Sequence, residues 1–242
     1  MPDTIALQIA AGDLDAAIKT MSAHTFAVAE GANLNVSEHW TDAHILRAQR
    51  EIQAKRYGDA LADLEAAATI PMNLPMSVGY GSSGGNPRYA EIDYWTGAAY
   101  KGSGDTQKAG ELWRQAIAPP ERSTARAASA AGNVQVDRRS QTYYQGLAYQ
   151  ELGQPEKAQE LFRGLVQLGQ NQLQQPAAAR GTREGRPGSV VSSRMLTANA
   201  HYLEGLGDLG LNDRTAARAE LQQAVQTSPD LLGARTTLAS IQ

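Results

Sequence analysis

One internal motif recurs four times along this chain, and it constrains the fold more than any other feature. A small residue is followed by Ala twelve positions later, by a large apolar residue four later, and by Ala or Leu three later. The copies are Ala48, Ala60, Leu64, Ala67; Gly97, Ala109, Trp113, Ala116; Gly146, Ala158, Phe162, Leu165; and Gly205, Ala217, Leu221, Ala224. Steps of 4 and 3 keep side chains on one helix face, and the step of 12 crosses a turn between two helices. A small residue on the first helix then lies against a small residue on the second, and the large one fills the gap. A single pair cannot bury its apolar face alone, so pairs must stack, and stacking leaves an extended surface free for binding. The motif predicts antiparallel helix pairs over 38–69, 87–118, 138–168 and 193–227, with a capping helix over 230–242.

Turn chemistry falls between the helices of each pair. Gly104-Asp105, Gly153 with Pro155, and Asn212-Asp213 mark turns, and Pro229-Asp230 stops the fourth pair. Residues 4–24 read as a partial repeat. Gly12-Asp13-Leu14-Asp15 is a turn, and Ala17, Met21 and His24 follow it on one face. The helix before that turn is shorter than the roughly thirteen residues a period of about 34 requires, so the chain is expected to be cut from something longer. Successive copies lie 49, 49 and 59 residues apart. The excess forms insertions over 70–86, 119–137 and 169–192, all after the second helix of a pair and hence on one edge. Pro71, Asn73, Pro75 and the run Gly79 to Gly85 make the first loop-like, and Pro119-Pro120 the second. The third runs from Pro176 to Pro187 with Arg180, Arg183 and Arg186. Its composition cannot bury enough apolar area to offset ordering, so part of 176–190 is expected to be disordered.

Composition narrows the function classes. The 242 residues carry a net charge of −3, which creates no field for nucleic acid. The absence of Cys excludes disulfides, thiolate metal sites and cysteine nucleophiles. No stretch approaches the roughly 20 apolar residues of a membrane span, and no basic segment followed by an apolar core opens the chain. A cytoplasmic location is therefore expected. The histidines, His24, His39, His44 and His201, include no i, i+4 pair with a Glu as in zinc hydrolases. His44 and His201 stand at equivalent repeat positions and read as structural. Gly79 to Gly84 and Gly205 to Gly210 match G-x-G-x-x-G, but neither follows a strand, and the second lies within a predicted helix. There Gly205 serves close helix approach. No serine sits in a nucleophile elbow, and no carboxylate pair stands out for acid–base work. The expectation is a protein without enzymatic activity, cofactor or metal.

Gly97-Ala98-Ala99-Tyr100 with Gly104-Asp105, Gly146-Leu147-Ala148-Tyr149 with Gly153, and Pro229 resemble the tetratricopeptide repeat, and the resemblance covers nearly the whole chain. It implies an all-α, right-handed solenoid of antiparallel helix pairs that acts as a protein-binding scaffold. One feature departs from the family. Where an apolar residue usually precedes the small one, this chain has Arg47, Thr96, Gln145 and Glu204. The apolar residue sits one place earlier, at Leu46, Trp95, Tyr144 and Leu203, rotated by about 100°. These four are expected to pack against the insertions. Phe26, Glu30-Gly31, Asp59 to Asp63, Pro71-Asn73-Leu74 and Ala90-Glu91-Ile92 give a narrower resemblance, to the helical C-terminal part of large bacterial proteins with a preceding β-rich domain of unknown function. Those β domains look like carbohydrate-active sandwiches. That resemblance implies an alternative role, as accessory helical half of such a protein.

The residue three before the small one is expected to face the concave groove. It is Ile45, Tyr94, Tyr143 and Tyr202. Tyrosines in register suit a binding stripe, since each offers large area and a hydroxyl at low entropy cost. They equally suit helix-on-helix packing. Gln49, Lys101 and Gln150 complete the expected groove, beside Asp42, Gln53, Glu91, Leu147, Asn199, Leu206 and Leu209. The set lacks the Lys/Asn arrangement that clamps a C-terminal carboxylate. Arg122, Arg126, Arg138 and Arg139 in the second insertion, and Arg180, Arg183, Arg186 and Arg194 around the third, suit an acidic partner or simply a solvated loop. The expected partner is a protein or peptide, an upstream domain of the same polypeptide included. Nucleic acid and membrane are not expected, and carbohydrate follows only from the narrower resemblance.

Overall fold

The computed structural model describes residues 2–26, 36–74, 87–118, 132–175 and 193–241, and these form eleven helices with no strand. The chain divides into two compact units, Met1–Ala128 and Ser129–Gln242. The first holds α1 (Pro2–Ala11), α2 (Leu14–Ala23), α3 (Val36–Gln53), α4 (Tyr57–Ala68), α5 (Tyr89–Ser103) and α6 (Thr106–Ile117). The second holds α7 (Gly132–Glu151), α8 (Pro155–Gln174), α9 (Ser193–Gly210), α10 (Arg214–Thr227) and α11 (Leu232–Ser240). In the first unit α1–α2 packs on α3, α5 packs on both members of the α3–α4 pair, and α6 pairs with α5. In the second, α9 packs on the α7–α8 pair, α10 on α9 and α11 on α10.

The four residues of every motif copy are buried. Their close approach is visible at the glycines. A Cβ on Gly97 would stand 2.5 Å from the Trp113 ring, one on Gly146 2.3 Å from the Phe162 ring, and one on Gly205 2.9 Å from Leu221. Each turn is closed by the same two backbone bonds. In the second pair Gly104 N–H donates to Lys101 O and Asp105 N–H to Tyr100 O, at 3.1 and 2.9 Å. The residue seven after the small one takes positive φ in every pair: Lys55, Gly104, Gly153 and Asn212. Gly12 repeats this turn between α1 and α2. Asp105 and Asp213 then cap the following helices, accepting from Lys108 N–H and Ala216 N–H at 3.0 and 2.9 Å.

Two helices extend into spans that read as insertions. Helix α7 begins at Gly132 rather than 138, and α8 continues to Gln174 rather than 168. The α8 extension has a packing cause. Gly169 is buried where a Cβ would lie 2.6 Å from Ala200 O, and Gln170 Nε2 donates to Glu204 Oε1 at 2.9 Å. A polar run that composition assigns to a loop thus gains partners on α9. At the N-terminus Ile5, Ile9, Leu14, Ala17 and Met21 are buried, but His24 is exposed. Helix α2 has ended at Ala23, and the extended backbone of His24 carries its side chain off the face.

The hairpin α1–α2 is tied down by polar contacts as well. Arg50 Nη1 donates to Gly12 O at 2.7 Å. Asn73 Nδ2 donates to Met21 O and His24 O, both at 2.8 Å, while Asn73 O accepts from Phe26 N–H at 3.1 Å. The start of the first insertion therefore clasps the end of α2, with Leu74 buried beside it. The Gly79 to Gly85 run, Pro119-Pro120, Glu30-Gly31 and 176–190 lie outside the described residues.

The glycine pattern on α9 carries a stability prediction. A Cβ on Gly207 would lie 2.6 Å from Phe162 O, a backbone atom that cannot move aside. Overpacking costs about 1–3 kcal/mol, more than the roughly 1 kcal/mol by which Ala favours a helix over Gly. Gly207→Ala is expected to lower the thermal midpoint of the second unit. Gly164→Ala, whose Cβ meets nothing within 4 Å, is expected to raise it. A calorimetric scan that gives both changes the same sign would refute this assignment.

Candidate functional site

The expected groove residues separate by burial. Ile45 and Tyr202 are 1% and 8% exposed, each within the apolar core of its unit. Tyr202 is covered by α11, whose Gly233 lies against its hydroxyl. Leu206 and Asn199 are buried too. Tyr94 and Tyr143 are half-exposed. Each stands edge-on to the next aromatic residue, Tyr94 to Trp95 at 5.1 Å and 71°, Tyr143 to Tyr144 at 5.3 Å and 73°. The two units thus carry the same aromatic couple at the same register. Gln49 is half-buried and Gln150 exposed, while Lys101 sits 5.6 Å over the Trp113 ring.

Residues of the stripe expected to support the insertions pack, among the described residues, with the helices. Leu203 belongs to the core of the second unit, and Trp95 packs on the core of the first. Leu46 is half-buried, and Tyr144 abuts Tyr143. Asp42 and Glu91, expected in the groove, are taken up by Arg88. Its Nη2 lies 2.7 Å from Glu91 Oε2, and its Nη1 bonds Asp42. Burial opposes ionisation of Asp42, but Arg88 and His39 outweigh it and hold the carboxyl below its usual range. Of the insertion arginines, Arg139 is half-buried and Arg194 lies 3.6 Å from Asp230; the side chains of the others fall outside the described residues.

Arg47 and Glu204, polar where an apolar residue was expected, bond across helices. Four positions per pair line the seam between its helices, at 4 and 1 before the small residue and 3 and 15 after it. In the first pair these are His44, Arg47, Glu51 and Asp63; in the fourth, His201, Glu204, Asp208 and Glu220. His44 Nδ1–H donates to Asp63 Oδ1 at 2.8 Å, and Arg47 grips both Asp63 oxygens at 2.6 Å. Arg47 also reaches Asp15 of α2 at 2.6 Å, so the network joins three helices. Burial resists the Asp63 charge, yet Arg47 and His44 prevail and hold its pKa down to about 2. Glu51 has the opposite fate. Its Oε2 is buried without a hydrogen-bond partner among the described residues, Arg56 is 4.0 Å from Oε1, and burial together with the Asp63 charge pushes it up to about 7.

The fourth pair repeats the plan with fewer cations. His201 Nδ1 pairs with Glu220 Oε2 at 2.7 Å, and Glu204, where the first pair has Arg47, takes the Gln170 amide. Burial, then Glu204, Asp213 and Glu220, push Asp208 up to about 6. Glu204 is raised as well, chiefly by burial. In the two middle pairs the seam is mostly uncharged: Thr96, Tyr100 and Leu112, then Thr142, Gln145, Tyr149 and Leu161. Asp93 stands at the histidine position of the second pair, and burial pushes it up to about 6. These carboxylates escape a reading by motif, but the 19-residue spacing of His44 to Asp63 and of His201 to Glu220 would have found the two pairs.

Chemically, the two outer seams each hold an imidazole–carboxylate pair, buried for His44–Asp63 and half-buried for His201–Glu220. Among the described residues no three His, Asp or Glu are placed to hold a metal ion, and no helix is long and apolar enough to cross a membrane. Helix α8 carries a shallow depression of about 550 Å³ lined by Thr142, Leu161, Arg163, Gly164, Leu165 and Leu168. Residues 142–168, which hold the third motif copy, match the tetratricopeptide repeat family model. No curated protein matches the sequence.

Proposed function

We propose that this chain is a non-catalytic interaction module that holds an extended protein segment or a neighbouring domain on its helix pairs. Tetratricopeptide repeats generally mediate contacts between proteins, and the match over 142–168 supports that class of role. The observation that carries the reading is the aromatic couple, Tyr94–Trp95 in one unit and Tyr143–Tyr144 in the other, in the same edge-on geometry and half-exposed. A tyrosine held by its neighbour has already lost rotamer freedom, so little further entropy is lost on binding. Trp95 Nε1 adds a buried donor with no acceptor among the described residues. Gln49, Lys101 and Gln150 would give polar contacts around these rings. In this reading the helix pairs within each unit wind in the right-handed sense of tetratricopeptide stacks.

A displayed random-peptide library tests it. Peptides enriched on the native chain should bind Tyr94→Ala/Tyr143→Ala at least tenfold more weakly, as expected for anchor aromatics. Circular dichroism should show that the variant keeps its helix content. Enriched peptides that bind both proteins equally would move the site off the tyrosines.

A further inference from the structure

We propose that the polar seams of the first and fourth helix pairs are proton-operated clamps: mild acidification tightens α3 on α4 and α9 on α10. The proton is the ligand, and Glu51 and Asp208 are its acceptors.

Both acceptors stand three residues after the small residue, at the turn end of the seam. In both pairs the same two further positions hold a bonded histidine and carboxylate, His44–Asp63 and His201–Glu220. The acceptor is thus a second carboxylate brought next to one that already has its partner. In the middle pairs the same position is Tyr100 or Tyr149, each beneath a lysine, Lys108 at 4.3 Å and Lys157 at 5.4 Å. Those pairs close without a second carboxylate.

The surrounding charges make protonation the available relief. Asp63 and Asp59 of α4 and Arg47 of α3 act on Glu51, Arg56 of the turn lies 4.0 Å from its Oε1, and His44 and Asp15 stand one link further, on Asp63 and Arg47. From α5, Ile92 and Ala99, with Trp95 against them, join the apolar cluster of this pair. Arg47 is committed to Asp63 and Asp15, and Arg56 comes only within 4.0 Å of Oε1 and is mostly exposed, so among the described residues the buried Oε2 has no hydrogen-bond partner. Glu204 of α9, Asp213 of the turn and Glu220 of α10 act on Asp208, while His201 is held by Glu220 and the Gln170 amide of α8 is taken by Glu204. Negative charge exceeds positive there.

The direction follows from the raised values. A carboxyl whose folded pKa is raised stabilises the fold fully below its unfolded value and ceases to do so as pH rises through the folded one. For Glu51 the window runs from its ordinary 4.5 to about 7, and for Asp208 from 3.8 to about 6. Most folded proteins lose stability as pH falls below about 5 and paired carboxylates are neutralised. Here Asp63, held to about 2, keeps its charge throughout, so protonation of Glu51 removes repulsion without breaking the Arg47 link.

Hydrogen exchange of the full chain, corrected for intrinsic rates, reads the effect. Between pH 7.5 and 5.5, protection of α3–α4 should rise about twentyfold and that of α9–α10 about fourfold, from the windows above. Glu51→Gln should remove most of the first gain alone, and Asp208→Asn most of the second alone, since each amide imitates the protonated acid. Asp93 and Glu204, raised in the same direction, leave the smaller gain that remains, which is why the variants are read beside the wild type. Gains that persist unchanged in both variants, or protection that falls on acidification, would overturn the proposal. Should a variant fail to fold, carboxyl carbon titrations of the native chain decide directly. Glu51 and Asp208 midpoints above pH 5.5 support the clamp, and midpoints in the ordinary carboxylate range refute it.

Discussion

Replacing Asp63 with Ala is expected to remove about 3–5 kcal/mol from the stability of the first unit, the usual cost of stranding the partners of a buried ion pair. Asp63 is 5% exposed and is the shared acceptor of His44 and Arg47. Without it, His44 faces a void beside Trp40, whose ring lies 4.2 Å away, and Arg47 keeps only Asp15 on the exposed side. The loss should depend on pH. A carboxyl held to about 2 stabilises the fold above its ordinary 3.8 and ceases to as pH falls through the folded value. The gap between native and Asp63→Ala proteins should therefore narrow below pH 4. All three tryptophans, Trp40, Trp95 and Trp113, lie in the first unit, so their emission during urea unfolding reports on that unit. A loss below about 1 kcal/mol would mean that the network relaxes around the missing acid and does not hold the three helices together.

Phe162→Ala should be as damaging in the second unit, at about 3–5 kcal/mol. Phe162 is fully buried and packs 5.8 Å from Tyr143, ring centre to ring centre. It fills the space over two glycines, since a Cβ on Gly146 or Gly210 would stand 2.3 Å from its ring. Neither glycine has a side chain that can fall into the cavity, so the site cannot collapse around the truncation. A coupling test follows. Gly210→Ala should destabilise the native protein by overpacking yet restore part of the loss in the Phe162→Ala background. Far-ultraviolet circular dichroism should then show losses in thermal unfolding, while tryptophan emission from the first unit stays unchanged. Purely additive effects would show that the ring and the glycine do not share the contact.

The helix pairs were legible because their information is local. Ala48, Ala60, Leu64 and Ala67, and the three later copies, sit at spacings that only one turn-linked helix pair can satisfy, and all are buried. The ends of α7 and α8 were not legible. Residues 169–174 look like a loop by composition, and they are helical because Gly169 and Gln170 find α9, which lies more than twenty residues later. The tyrosine positions fared likewise. Tyr94, Tyr143 and Tyr202 are indistinguishable in register, but Tyr202 is covered by α11 and the other two are half-open.

Sequence alone determined which residues approach one another within each pair, because helical periodicity and residue size are properties of the chain itself. It also marked the departure at Arg47 and Glu204 without supplying its meaning. Only the tertiary structure decided that meaning. A charged side chain within a helix seam is stable or strained according to what a distant helix places against it, and no local spacing encodes that. Arg47 finds Asp63 on α4 and Asp15 on α2, whereas Glu204 finds the amide of Gln170 with Asp208 and Glu220 close by. Burial and the charge balance of assembled neighbours then set which carboxylates keep a proton, a quantity that exists only once the helices are packed.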